Sequence, residues 1–433
     1  GEIWQGRLLT AEKLRKKLHR LSNLYDPCWL CIISNSSQFH IKKLTSLISN
    51  ELIFRKPTMA DIVEELHAEC LARILKKGEV IKPVLTEDTV RALAERLYGV
   101  SCLELKELNS YDDRNYHITE DKNMKNPIIP VHCPYGYVLK IMNSLDSKKL
   151  SFVEAQTEAM IFLSNHDVGC PKPIRDVYGH YFSLEKLEGK SHVVRLLEYQ
   201  PGEILAAVPK TDFLFYQMGE YIAKLDRLLK SKFYHSGCEN HKTIWMLENV
   251  MELEKFKSDV QDLGMLRIVD EVLEEFEKKV IPKVKTLERG LLHGDFNEQN
   301  ILVSHNKDPL YGVIDFGDMQ VSCYVFELAI TMAYAMMVGK DLRTAGLVLA
   351  GYSTVRIVPP EELQLLRVCI AARFCQSYVM GAYSSAQDPT NTYLLTSKLA
   401  IEQLLPMLWN ESNEDVAELW KGVADDYLTK SDR

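Results

Sequence analysis

The sequence predicts an α+β protein of two lobes, a small one built on an antiparallel sheet and a larger, mainly helical one. Three observations predict it. The chain has 433 residues, more than a single compact core usually holds. Short apolar runs bounded by polar turns crowd residues 103–197, with one stretch of helical spacing among them. A break at Pro201-Gly202 follows, and beyond it helical periodicity dominates.

Taken in order, residues 60–98 read as two helices. Residues 103–108 and 115–119 read as paired strands around a polar turn, and residues 135–142 as a third strand. Phe152, Ala155, Ala159, Phe162 and Leu163 recur at helical spacing, which predicts a helix over 152–164. Residues 180–184 and 192–197 read as two further strands, and 198–202 as a polar link. In the helical part, residues 291–315 stand out because short apolar runs alternate there with polar turns. The expected division is a small lobe with its leading helices over 59–200 and a large lobe over 201–433. A cleft between two lobes is a preferred place for a cofactor.

Residues 1–58 differ from the rest. They hold 10 Lys and Arg against 4 Asp and Glu and show no sustained period. The chain opens on Gly1, and Met59-Ala60-Asp61 begins an ordinary amphipathic pattern. The expectation is that Met59 is the natural start and 1–58 a poorly ordered extension; a basic targeting arm is the alternative. Cys28 and Cys31 form a lone C-x-x-C with no second pair at zinc spacing, a weak metal signal. The whole chain carries a net charge of −8, with 46% apolar and 26% charged residues. That balance suits a globular protein and supplies no basic field to recruit nucleic acid or a membrane. The longest apolar stretch, 324–338, contains Glu327 and is too short to span a bilayer. Scattered cysteines and the lack of a visible secretory signal lead us to expect a cytoplasmic protein. Oligomeric state is not legible.

The chemistry is concentrated in His293-Gly294-Asp295-Phe296-Asn297-Glu298-Gln299-Asn300, which runs into the apolar Ile301-Leu302-Val303. It reads H-x-D-x-x-x-x-N before a strand. Asp315 follows in Gly312-Val313-Ile314-Asp315-Phe316-Gly317-Asp318. Residues 301–303 and 311–314 can pair antiparallel, which would bring Asn300 beside Asp315. Phosphoryl transfer needs this kit. A carboxylate must orient the attacking hydroxyl and accept its proton, which suits Asp295. Hard oxygen ligands must hold Mg²⁺ on the nucleotide phosphates, which suits Asn300 and Asp315. His293 either braces the loop or joins the catalytic set. Each short motif alone is a common turn; their order, spacing and flanking strands together are far more specific.

With these residues in view, the sequence resembles the aminoglycoside phosphotransferase branch of the protein-kinase-like fold, and within it the hydroxylysine kinases. The likeness is carried by Ser110-Tyr111-Asp112-Asp113-Arg114-Asn115-Tyr116-His117, Tyr137 to Ile141, Val194 to Leu197 with Pro201-Gly202, Ile314 to Met319, Tyr324 to Ala329 and Arg373 to Ser377. It spans about residues 84–430. The resemblance implies phosphorylation of free 5-hydroxylysine, a small-molecule amino acid, with GTP as donor. The residues themselves leave ATP and GTP open, since base contacts from the link, around Leu197 and Tyr199, would come from its backbone.

In the kinase pattern Lys140 touches the α/β-phosphates and pairs with a Glu on the next helix. That slot falls on Gln156, flanked by Glu154 and Glu158, and Glu154 is the favoured partner. Ser110 and Asn115 stand where a glycine-rich phosphate loop is expected; an ordinary hairpin turn is the alternative there. An acceptor with one carboxylate and two amines needs a cation and acids. Asp318 and Glu327 are the candidates for the amines and Arg373 for the carboxylate, against an internal Glu327–Arg373 ion pair. Other amino-alcohol kinases, of homoserine, choline or aminoglycoside type, and a nucleotide-binding pseudokinase are the rival readings.

Overall fold

The computed structural model describes residues 73–121, 126, 128–304, 310–391 and 397–431. The expected extension, Met59 and the Cys28/Cys31 pair lie outside these residues. The first described helix, α1 (Glu87–Tyr98), starts at Thr86, whose hydroxyl accepts the Thr89 N–H, and ends at Gly99 in the left-handed conformation.

The small lobe is a six-stranded antiparallel sheet. Its strands are β1 (Cys102–Leu108), β2 (Arg114–Glu120), β3 (Tyr137–Ile141), β4 (Pro173–Ile174), β5 (Ser183–Leu187) and β6 (Lys190–Glu198). The order is β1-β2-β3-β6-β4, with β5 also paired to β6. Helix α2 (Leu150–Ser164) follows β3. The strand and helix expectations for 103–197 hold, with ends shifted by a few residues.

Period-two alternation gives the sheet two different faces. Leu139, Ile141, Val194 and Leu196 are buried in one core with Val90, Leu93 and Leu97 of α1. Val138, Lys140, Arg195 and Leu197 point the other way and line the cleft. The register sets Asn115 opposite Lys140 and Lys140 opposite Arg195, a polar row across three strands.

Beyond the link come β7 (Glu203–Ile204), α3 (Asp212–Lys232), α4 (Leu263–Lys279), β8 (Arg289–Leu292), β9 (Ile301–Val303), β10 (Leu310–Val313), β11 (Gln320–Cys323), α5 (Tyr324–Gly339), α6 (Thr344–Ser353), α7 (Pro360–Leu363), α8 (Leu366–Gln387), α9 (Lys398–Asn410) and α10 (Asn413–Ser431). Helices α5 and α8 are apolar nearly all round and lie buried in the large core. Two small sheets stand over it, one ordered β10-β9-β7 and the other pairing β11 with β8. Among the described residues no helix is long and apolar enough to cross a membrane.

Candidate active site

The two small sheets place the loops that carry chemistry. Pairing of β9 with β10 sets Ile301 opposite Val313, and the Ile314 N–H reaches the Asn300 carbonyl at 2.8 Å. Asn300 and Asp315 therefore emerge side by side. Pairing of β8 with β11 sets Leu292 opposite Gln320, which brings the loop after β8 against Asp318. Gly294 makes that approach possible. Its φ is +81°, and a Cβ there would lie 2.3 Å from the Asp318 carbonyl oxygen.

Asp295 is held by four side-chain donors. Its Oδ2 accepts from Asn297 Nδ2 at 2.8 Å and Asn300 Nδ2 at 2.9 Å; its Oδ1 accepts from Arg373 Nη2 at 2.7 Å and Tyr334 Oη at 3.2 Å. The carboxylate thus has a fixed orientation at the floor of a cleft of about 610 Å³. Arg373 is buried and also donates to Tyr334 Oη at 2.9 Å and the Trp245 carbonyl at 3.2 Å. Burial disfavours its charge, but Tyr334, Asp295 and Asp318 outweigh it and raise its pKa further.

Asp315 takes a left-handed φ of 60° and opens to the cleft with 40% of its side chain exposed. Burial works to raise its carboxyl, but Lys140, the Gly317 N–H and Arg195 together hold it below the usual range. Asn300 spends its amide nitrogen on Asp295, through the backbone carbonyl at 3.0 Å as well as the carboxylate, which leaves its Oδ1 to offer a cation. Among the described residues no three His, Cys, Asp or Glu side chains form a metal cage. A Mg²⁺ needs none, because it keeps several waters and its remaining ligands come from phosphates. Asp315 and Asn300 fit that requirement.

Several expected roles change. His293 is fully buried; its Nε2 donates to the Ile314 carbonyl at 3.1 Å and its Nδ1 accepts the Asp295 N–H at 3.3 Å. Burial lowers its pKa and keeps it neutral. It is a positioning residue for the loop, not a member of the catalytic set. Glu327 is equally buried, and both its oxygens accept the Gly294 N–H, at 3.1 and 3.3 Å. It braces the same loop and does not reach the acceptor side. The Glu327–Arg373 ion pair does not form, because Glu327 is turned to that N–H and Arg373 to Asp295. Asp318 lines the cleft, and burial with the nearby charge of Asp295 raises its pKa well above the ordinary value.

Lys140 is the other correction. It lies 3.0 Å from Asp113 and 3.0 Å from Asp315. The counter-charge comes from the β1–β2 turn, not from Glu154 on α2. Asp113 is itself fixed, with Oδ1 accepting the Asn143 N–H at 2.7 Å and Asn143 Nδ2 at 3.0 Å. Gln156 is buried and donates to the Gly317 carbonyl at 3.4 Å, and Glu158 approaches His235 at 3.8 Å. Ser110 Oγ donates to the Asp113 carbonyl and shapes the turn. Asn115 lines the cleft with a buried Oδ1 that has no partner among the described residues.

Leu197 and Tyr199 line the cleft, and two of the link's amides are already engaged. The Glu198 N–H donates to the Lys172 carbonyl at 2.8 Å and the Tyr199 N–H to the Gly136 carbonyl at 3.0 Å. Neither amide remains to be offered to a base. Tyr334, Asn297 and Arg195 escaped sequence reading. Asn297 had a signal, its place inside the H-x-D-x-x-x-x-N run. Tyr334 sits in a long apolar helix and had none.

A fixed carboxylate, an adjacent Asn and Asp able to offer oxygens to a cation, and a lysine bonded to that Asp suit a phosphotransferase site in a two-lobed kinase-like fold. The phosphotransferase enzyme family model matches residues 104–365. Hydroxylysine kinase of Xenopus laevis is 36% identical over 367 residues, covering 80% of this chain and 96% of that protein. Hydroxylysine kinase of Mus musculus is 32% identical over 364 residues, covering 80% and 95%. The fold matches a solved aminopropanol kinase with a TM-score of 0.55 at 16% identity, covering 80% of this chain and 98% of that one. It also matches an amicoumacin kinase solved with AMP-PNP and Ca²⁺, with a TM-score of 0.53 at 17% identity, covering 77% and 94%. The chain belongs to the phosphotransferase enzyme family. It is a small-molecule phosphotransferase.

Proposed function

We propose that this enzyme transfers the γ-phosphoryl group of a purine nucleotide, GTP in preference, to the hydroxyl of free 5-hydroxylysine. The observation that carries the reading is the placement of Asp295. Its carboxylate is bonded to Asn300, and Asn300 stands beside Asp315, so a base and a phosphate-metal site share one wall of the cleft. The relatives at 30–36% identity named hydroxylysine kinase support the acceptor.

Asp295 orients the acceptor hydroxyl and takes its proton as the bond to phosphorus forms. Lys140 neutralises phosphate charge from the sheet side. Asp315 and Asn300 would hold Mg²⁺, which would supply charge neutralisation on the phosphate oxygens. Arg373 and Asp318 flank Asp295 and present one cation and one acid to an amino-acid acceptor. A reducing, cytoplasmic setting accords with the described cysteines, which are all free thiols.

The test is a panel of hydroxylysine, homoserine, choline and an aminoglycoside, each with Mg²⁺ and either ATP or GTP. Turnover of hydroxylysine with the highest kcat/KM is expected. A higher value for another acceptor would replace hydroxylysine in the reading, and binding of nucleotide with no turnover of any would favour a pseudokinase.

A further inference from the structure

Arg195 is an odd residue to find inside a sheet. Its side chain is almost wholly buried, with 1% of its surface exposed. Its Nε and Nη1 have no hydrogen-bond partner among the described residues. A buried guanidinium with two unmet donors is costly, because its charge has left water without full compensation. The two carboxylates whose field reaches it, Asp113 and Asp315, are both bonded to Lys140 instead.

Its placement says what would meet those donors. Arg195 stands directly across from Lys140 in the β3–β6 register, so both side chains leave the same face of the sheet. Asn115 stands across from Lys140 on the other side. All three line the cleft, next to Asp315. The acceptor-side residues Arg373 and Asp318 come from the other lobe. The row therefore presents two cations on one face of the sheet, beside Asp315.

We infer that Arg195 is a second phosphate-binding cation, which pairs with Lys140 to hold the polyphosphate of the donor nucleotide. The inference rests on the nucleotide-binding reading above. A planar fork of donors suits two phosphate oxygens at once, which a lysine ammonium does not reproduce.

The experiment is calorimetric binding to the full chain in Mg²⁺, using GTP, ATP, GDP, guanosine and adenosine as probes. The variants are Arg195→Gln and Arg195→Lys. For Arg195→Gln we expect triphosphate affinity to fall about 10- to 100-fold, the range for loss of a charged hydrogen-bonding partner. Nucleoside affinity and the KM of the acceptor should not change. Arg195→Lys should lie between Arg195→Gln and wild type. A ratio of triphosphate to nucleoside affinity equal to that of wild type, in whichever variant folds, overturns the inference and leaves the nucleotide reading standing. A rise confined to the acceptor KM also overturns it. If wild-type protein binds neither Mg·GTP nor Mg·ATP, the nucleotide reading and the inference fall together.

Discussion

Arg373 Nη2 lies 2.7 Å from Asp295 Oδ1, so the one buried cation of α8 facing the cleft is bonded to the carboxylate proposed as base. A cation there does two things. It fixes the rotamer of Asp295 together with Tyr334, and it places positive charge where an amino-acid carboxylate could share it. Removing it leaves Asp295 less constrained and, on the proposed function, an amino-acid acceptor without a counter-ion. Arg373→Ala should raise the acceptor KM and lower kcat, with a combined loss on the order of 10²-fold or more from misplacement alone. Nucleotide affinity measured by calorimetry should stay within about twofold. Equal losses for acceptor and nucleotide would mean that Arg373 only braces the large lobe.

Asp295→Asn tests the base itself. The amide keeps the size of the side chain and can still accept one hydrogen bond from Asn300, but it cannot take a proton. We expect kcat to drop about 10²- to 10⁴-fold, the usual worth of a positioned base. Binding of Mg·GTP should persist, because Asp315 and Asn300 remain. Rapid turnover by this variant would remove Asp295 from the role.

Glu327 provides a pH-dependent test. Burial raises its pKa from 4.5 to about 7, against the lowering effect of the Gly294 and His293 N–H groups. The folded state therefore holds a proton that the unfolded chain has lost between about pH 4.5 and 7. Protons favour the folded state in that window, so the stability from this group falls as pH rises through it. Glu327→Gln removes the titration and keeps an acceptor for Gly294. The stability difference, variant minus wild type, should grow by roughly 1–3 kcal/mol between about pH 5 and 7.5. Denaturant melts at several pH values read it directly, and a flat difference would show that Glu327 does not titrate there.

The parts of this site that were legible are those written locally. Asp295, Asn300 and Asp315 lie within 21 residues and are joined by one antiparallel pair, so spacing alone brought them together. Strand alternation placed Lys140 on a definite face for the same reason. The illegible parts depend on how separate elements rotate against one another. Glu327 and Arg373 sit on two buried helices, and sequence cannot say whether they face each other or the loop between them. That the Glu198 and Tyr199 amides of the link are taken by the Lys172 and Gly136 carbonyls was equally invisible, since both partners are distant in sequence. Arg195 was visible only as one residue in an apolar strand; its meaning came from its register with Lys140.

The counter-charge of Lys140 gives the last test. Lys140 is bonded at 3.0 Å to Asp113, which the Asn143 amides hold in turn, so the Asp113 side chain ties the β1–β2 turn to the end of β3 and to Lys140. Both partners are largely enclosed, with 6% of the Lys140 side chain and 15% of Asp113 exposed. Breaking a buried pair by deleting one partner costs about 3–5 kcal/mol when the other is left unmet. Here Asp315 stays bonded to Lys140 and limits the loss, so Asp113→Asn should cost less than that range in stability. The functional effect should be larger in proportion. A freed Lys140 draws closer to Asp315, competing with the metal for its oxygens, and the turn carrying Ser110 loses its anchor. We expect the Mg²⁺ concentration giving half-maximal activity to rise and nucleotide affinity to fall about tenfold, or roughly 1.4 kcal/mol. Glu154→Gln, made in parallel, should leave both near wild type, because Lys140 finds its two carboxylates elsewhere. If Glu154→Gln produces the larger loss, the helix carries the counter-charge in the nucleotide-bound enzyme and the turn does not.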